Sequence, residues 1–212
     1  MNYTPFFSVV MASYLGNYAG AASNRINKFI RAIDCMASQS FTDWELIIVS
    51  DGCKKTVNYA QKYTSDSRIR VIQINKQPKW SGHIRNVGHN NAKGQWITYL
   101  DTDDVIGTNH LQKIYEGIFT NPDACCVFYN DCLPTKIGNK YQFSRVAERP
   151  CEISMGKCGT SNISFIRSLP VRWNDNTYLH DWKFIESLIP FNPVRIAAAE
   201  YVVCHVPNLL DV

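Results

Sequence analysis

Ile97-Thr-Tyr-Leu-Asp101-Thr-Asp103-Asp104 is the stretch whose reading decides the fold. Four residues read as a buried strand, and three carboxylates follow within the next four positions. Adjacent carboxylates raise one another's pKa unless a cation or hydrogen-bond donors compensate. In an open α/β sheet, ligands sit at the carboxyl ends of the strands. Asp side chains there are hard oxygen ligands suited to Mg2+ or Mn2+, with the rest of the coordination left to water and a substrate's phosphates. The same residues would also serve as an acidic turn capping the next helix.

Working outward, the preceding segments repeat a strand–loop–helix rhythm. Phe6 to Ser13 is a short, nearly continuous apolar run, as in a central parallel strand. A polar loop from Tyr14 to Ala22 leads to a helix capped by Ser23 or Asn24, with an inner stripe of Ile26, Phe29, Ile30, Ile33 and Ala37. Glu45 to Ser50 returns as a strand ending in Asp51-Gly52, so that Tyr14 and Asp51 share one sheet edge. Asp51 there suits either acceptance of a base's ring N–H or a helix cap. A strand over 69–74 precedes a short helix over Gly82 to Ala92, with Arg85 near its start and Gly94 as its stop. Thr108 is the expected cap of a helix bearing Leu111, Ile114, Tyr115, Ile118 and Phe119, and Cys125 to Tyr129 reads as another buried strand.

From Asn130 the texture changes. Gly138-Asn139 is a turn signal between two antiparallel strands, and residues 144–160 read as irregular. Gly159-Thr-Ser161-Asn162 leads into a short strand ending at Ile166. A helix opens over Thr177 to Trp182, and residues 194–205 form a final strand region. The apolar tail after Pro207 reads as docked on the domain or on a second copy, as in a homodimer. The change near residue 130 separates two halves, 1–129 and 130–212, of a single domain.

The bulk properties narrow the class. With 45% hydrophobic and 19% charged residues among 212, the chain is globular. Its formal charge of +4 is mild, and no recognition motif for nucleic acid accompanies it. Between Ser67 and Leu100 there is no acid, while Arg68, Arg70, Lys76, Lys79, Arg85 and Lys93 all fall there. The eight cysteines contain no C-x-x-C pair, and residues 1–13 lack a signal-peptide pattern, so reduced thiols in the cytoplasm are expected. No apolar run approaches the roughly 20 residues of a membrane span, which leaves peripheral contact through a partner at the inner face of the membrane. The absence of G-x-G-x-x-G after the first strand argues against a dinucleotide fold.

Ser8 to Tyr14, Gln39 to Gly52, Gly82 to Gly88 with Ala92 to Gly94, Tyr99 to Asp104 and, more weakly, His180-Asp181-Trp182 form an ordered set of stretches. In order and spacing they resemble family 2 glycosyltransferases of the GT-A fold, of the bacterial cell-surface polysaccharide kind. The resemblance is continuous to about residue 120 and patchy beyond. It implies a single three-layer α/β/α domain with a mostly parallel central sheet and a small antiparallel element. It also implies a nucleotide-diphosphate sugar donor, a UDP-sugar by preference, held in the first half, and a saccharide or lipid-linked saccharide acceptor met by the second. Residues Ala12 to Tyr14 would line the base pocket, Asp51 would accept from the base, and Arg85 would sit by the phosphates. Asp101, Thr102 and Asp103 would form the D-x-D, with Asp103 nearest a Mn2+ or Mg2+ ion and Asp104 adjacent. Asp181 falls where inverting members keep the catalytic base, and His205 matches a late histidine near the metal. Ser161, Asn162 and Trp182 would lie on the acceptor side. Ser50, where many members have a second Asp, and Cys204, where a basic residue is frequent, depart from the pattern.

Two rival functions are compatible with parts of the chain. A sugar-phosphate nucleotidyltransferase shares the architecture, but it usually carries a basic glycine-rich loop after the first strand, and no basic residue occurs from Met1 to Ser23. A catalytically silent nucleotide-sugar-binding or assembly subunit would need no Asp181.

Overall fold

The structure, a computed structural model, describes residues 4–18, 21, 24–77, 81–137, 140–174, 179–197 and 200–204, with backbone alone for 136, 137 and 140–145. In chain order the elements are β1 (Phe7–Ser13), α1 (Arg25–Ala37), β2 (Trp44–Asp51), α2 (Lys54–Ala60), β3 (Ile69–Ile74), α3 (Gly82–Asn91), β4 (Trp96–Tyr99), β5 (Val105–Ile106) and α4 (His110–Phe119). There follow β6 (Cys126–Phe128), β7 (Asp131–Ile137), β8 (Lys140–Arg149), β9 (Ile163–Ile166), α5 (His180–Leu188), β10 (Val194–Arg195) and β11 (Tyr201–Val202).

The large sheet runs β10-β6-β9-β4-β1-β2-β3, and β9 is antiparallel to both of its neighbours while the other pairs are parallel. A smaller mixed sheet has the order β5-β11-β7-β8. Strand alternation divides the interior into two layers. Phe7, Val9 and Met11 of β1, with Leu46 and Ile48 of β2, pack against α1, α2 and α4 through Phe29, Ile33, Ala60, Leu111 and Ile114. Val10, Ile47, Val49, Ile97 and Tyr99 point the other way, onto Ile84 of α3 and Phe184, Ile185 and Leu188 of α5. This is the expected single three-layer α/β/α domain, and its continuous apolar strands are those of a sheet covered on both faces.

Several local expectations shift. The buried face of α1 turns toward Lys28, Ala32 and Met36, leaving Ala37 exposed, because the helix packs on the sheet and the β5 region together. Asn109, not Thr108, stands at the cap of α4, and its backbone N–H donates to Glu200 Oε2 at 2.9 Å. Phe119, among the apolar residues of α4, is 74% exposed. Gly94 does not cap α3, whose C-cap is Ala92. A Cβ at Gly94 would lie 2.5 Å from Ser8 N, so glycine is required by the close approach of two backbones. The region 144–160 is irregular only after Arg149, since β8 continues to that residue against β7. The final strand region splits into β10 and β11, which join different sheets. Ser23, the Gly138-Asn139 turn and Thr177 lie outside the described residues.

Candidate functional site

Because β1 to β4 run parallel, their carboxyl ends bring Tyr14, Asp51, Lys76 and Asp101 to one edge. The helix α3 follows the β3 end, so its first turn opens at that edge and carries Ser81 and Arg85. A cation in a first turn works against the helix dipole. Here two carboxylates offset that cost. Arg85 Nη2 donates to Asp101 Oδ1 at 2.8 Å, and Nη1 reaches Ser81 Oγ at 2.6 Å and Asp181 Oδ1 at 3.4 Å. The guanidinium also lies 4.6 Å from the Trp173 ring centroid. Its side chain is 7% exposed, while that of Asp181 is 53% exposed. Burial alone would lower the Arg85 pKa, but Asp101 and Asp181 carry it above its usual value.

Asp181 stands in the first turn of α5, where the backbone N–H groups favour a carboxylate. His180 Nε2 is 3.3 Å from its Oδ1. Trp182, next in the helix, is half-buried against the α3/α5 layer. The structure therefore unites Asp101, Arg85 and Asp181, drawn from a strand end and two helices far apart in sequence.

The acidic stretch itself is a turn, closed by Asp104 N–H donating to the Asp101 carbonyl at 3.3 Å. Thr102 and Asp103 are half-buried, and Arg31 Nη2 holds the Asp103 carbonyl at 3.0 Å. Asp104 differs from its expected place beside the donor. Only 4% exposed, it accepts from Tyr201 Oη at 2.9 Å and from Cys204 N–H at 2.7 Å. Burial, then Asp103 and Asp101, push its carboxyl well above the usual range. Tyr201 Oη also accepts the Asp101 N–H at 3.0 Å, so one buried phenol pins both ends of the acidic turn.

Asp51 is not a helix cap, since Cys53 occupies that position before α2. Its Oδ1 accepts from Gln77 N–H at 2.6 Å, and its Oδ2 pairs with Lys76 Nζ, which lies over the Tyr14 ring at 4.5 Å. Arg25 donates to the Tyr14 carbonyl and the Gly16 carbonyl, fixing the loop after β1. Ala12 is half-buried beside Val49 in the β1/β2 register.

Ser161 and Asn162 are buried, and their polar groups are used within the chain. Ser161 Oγ donates to Asp131 Oδ2 at 2.9 Å. Asn162 Nδ2 donates to the Tyr129 carbonyl at 3.0 Å, and its Oδ1 accepts the Gly159 N–H at 2.9 Å. Both thereby shape the turn before β9. His89 is likewise a packing residue, set against Phe165 and bonded to the Arg167 carbonyl. His205 lies outside the described residues.

Among the described residues, no three His, Cys, Asp or Glu side chains converge as a metal cage. Mg2+ or Mn2+ bound with a diphosphate does not require one. It takes one or two protein carboxylates and fills its shell with water and phosphate oxygens. Asp101 and Asp103, oxygen donors on one turn, fit that need. Tyr201 and Lys76 were missed as contributors to this edge. Lys76 belongs to the basic block of the sequence, but nothing local marks a tyrosine 100 residues from the turn it holds.

Comparison with known proteins gives a consistent picture. Residues 21–179 match the model described as glycosyl transferase family 2. A bifunctional glycosyltransferase, pgtA, of Dictyostelium discoideum is 31% identical over 131 residues, covering 57% of this chain and 17% of that protein. The Escherichia coli UDP-Glc:alpha-D-GlcNAc-diphosphoundecaprenol beta-1,3-glucosyltransferase WfgD is 29% identical over 105 residues, covering 50% and 38%. Among solved structures, Staphylococcus aureus TarS in complex with UDP-GlcNAc superposes with a TM-score of 0.72 at 18% identity, covering 93% of this chain and 58% of that one. The chain spans less than half the length of the curated relatives it matches.

Proposed function

The chain belongs to glycosyl transferase family 2, and from that premise we propose that it transfers a hexose, with inversion, from a UDP-sugar to a hydroxyl of a glycan or lipid-linked saccharide. The observation that carries this reading is the buried Arg85 held between Asp101 and Asp181. An incoming diphosphate brings negative charge to that guanidinium. The Asp181 contact is the longer of the two, at 3.4 Å against 2.8 Å, so it is the one a phosphate displaces first. Asp181, more than half exposed at a helix N-terminus, is then released to meet the acceptor hydroxyl. A sugar hydroxyl has a pKa far above 7, and a carboxylate within about 2.6–3.2 Å takes its proton as the new bond forms.

Asp103, with Asp101 beside it, would hold Mn2+ or Mg2+, which when bound neutralises charge developing on the departing diphosphate. Arg85 and Lys76 add positive field at the same edge. Tyr14 and Ala12 line the base side with Asp51, whose carboxylate first has to share or exchange its Lys76 and Gln77 partners. On this reading residues 1–129 hold the donor and 130–212 meet the acceptor. Trp182 offers an apolar ring face for sugar C–H groups. Ser161 and Asn162 act by holding the turn before β9. The UDP preference draws on the TarS complex with UDP-GlcNAc and on the UDP-Glc named for WfgD.

The test is Asp181→Asn. UDP-sugar affinity by calorimetry should stay within about twofold, while transfer falls by roughly 10²–10⁴, the usual contribution of a general base. Equal transfer rates in variant and parent would remove Asp181 from the chemistry.

A further inference from the structure

Cys151 and Cys158 flank a six-residue turn, 152–157. Its neck is closed by Glu152 N–H donating to the Lys157 carbonyl at 3.4 Å and by a 2.7 Å ion pair between the same two side chains. Cysteines that flank a neck closed in this way are brought toward one another, and a disulfide spans Cα separations of about 4.4–6.8 Å. Both thiols are free and buried in the layer that holds Cys126 and Phe165. The two thiols are near enough to influence each other's ionisation, and Cys158 Sγ lies 4.0 Å from the Gly159 carbonyl.

The surroundings make the pair unequal. Arg195 Nη1 donates to the Cys151 carbonyl at 2.7 Å, and the Cys151 N–H is fixed by Asn130 Oδ1 at 2.9 Å. The neighbouring Cys158 thiol, followed by the Arg195 and Arg149 guanidiniums, draws the Cys151 thiol below its ordinary range despite burial and Asp131. The same contact, with burial, pushes Cys158 up. An acidified thiol facing a protonated one is the arrangement of an attacking and a resolving cysteine.

We propose that Cys151 and Cys158 form a redox-active dithiol that a hydroperoxide converts to an intramolecular disulfide, Cys151 attacking and Cys158 resolving. With hydrogen peroxide, the Cys151 thiolate breaks the O–O bond. An S–O bond forms, and hydroxide leaves to be protonated to water. Cys158 then gives up its proton and displaces hydroxide from the Cys151 sulfenic acid, so that the S–S bond forms and a second water departs. Two thiols are oxidised and one peroxide is reduced to two waters. The oxidant is water-sized, which suits a buried pair better than a bulky peptide disulfide. The turn precedes β9 in the chain, and β9 begins at the β4 carboxyl end because the two strands are antiparallel. A consequence for acceptor entry rests on the transferase reading; the thiol chemistry does not.

The experiment exposes the chain to substoichiometric hydrogen peroxide, alkylates the remaining thiols and maps all eight cysteines by mass spectrometry. The expected result is a Cys151–Cys158 cross-link, reversed by dithiothreitol, before the half-exposed Cys35 and Cys125 react. In Cys158→Ser, dimedone should trap a sulfenic acid at Cys151. Oxidation of Cys35 and Cys125 while the pair stays alkylatable would overturn the proposal. Equal dimedone trapping in Cys151→Ser and Cys158→Ser would overturn the division of roles. The parent mapping holds whether or not a variant folds, and it is blind to glycosyl transfer, so its failure leaves the donor reading standing.

Discussion

Arg85 and His110 show what single buried groups do in this molecule. Arg85 serves two carboxylates through a planar fork, which the point charge of lysine does not reproduce. Hydrogen bonds to charged groups are worth about 1.5–3 kcal/mol. Arg85→Lys should therefore weaken nucleoside-diphosphate binding by roughly 10–100-fold, read by calorimetry, and unchanged affinity would take Arg85 out of the donor site. His110 is fully buried between the Tyr129 and Tyr201 rings, with neither ring nitrogen hydrogen-bonded. Burial, with Lys113 nearby, lowers its pKa to about 3. The folded state thus binds this proton less readily than the unfolded chain, whose imidazole titrates near about 6.5. Its neutral form contributes full stability above that pH, and the contribution is lost as pH falls toward about 3. Relative to His110→Leu, the parent should lose about 1.4 kcal/mol per pH unit across that window. Urea unfolding at three pH values checks it, and a pH-independent difference would contradict burial of the neutral ring.

At the scale of elements, the site depends on how flush α3 lies on the sheet. A Cβ added at Gly88 would fall 2.3 Å from Val10 Cγ1, so the helix rests on β1 without room for a methyl group. Gly88→Ala should cost about 1–3 kcal/mol as an overpacking change. It should also reduce UDP affinity, because Arg85 rides on the same helix one turn earlier. A loss of stability with intact affinity would mean that α3 tilts without moving Arg85. The β7/β8 ribbon is anchored differently. Asp131, fully buried, takes both Arg149 and Ser161, and so ties the ribbon's base to the turn before β9. Cys151 and Arg195 attach to the neighbouring Asn130, which makes this junction a crossing of three chain segments.

For the molecule as a whole, the two core layers hold a rigid edge on which the charged groups converge. No helix among the described residues is long and apolar enough to cross a membrane. A ligand that binds the folded chain alone stabilises it by about 2.7 kcal/mol at a hundredfold excess over Kd. For a domain of this size that corresponds to roughly 5–10 °C in Tm. UDP with Mn2+ should produce such a shift, and Asp103→Asn should remove the part that depends on the metal. The same shift in parent and variant would show the ion bound elsewhere.

What the sequence determined by itself was local. Period-two alternation, the apolar runs at β1 and β2 and the acids after β4 are written in neighbouring residues, so the α/β class, the strand–helix alternation of the first half and the candidate edge could be read directly. Element ends were less legible. Gly94 looks like a helix stop and is instead a place where two backbones touch, a distinction that depends on Ser8. The pairings were decided only by tertiary structure: Arg85 with Asp101 and Asp181, Tyr201 with Asp101 and Asp104, Lys76 with Asp51. Each joins residues 16 to 100 positions apart. A buried charge takes whichever partner the fold brings within reach, and nothing in either residue's own neighbourhood specifies that partner.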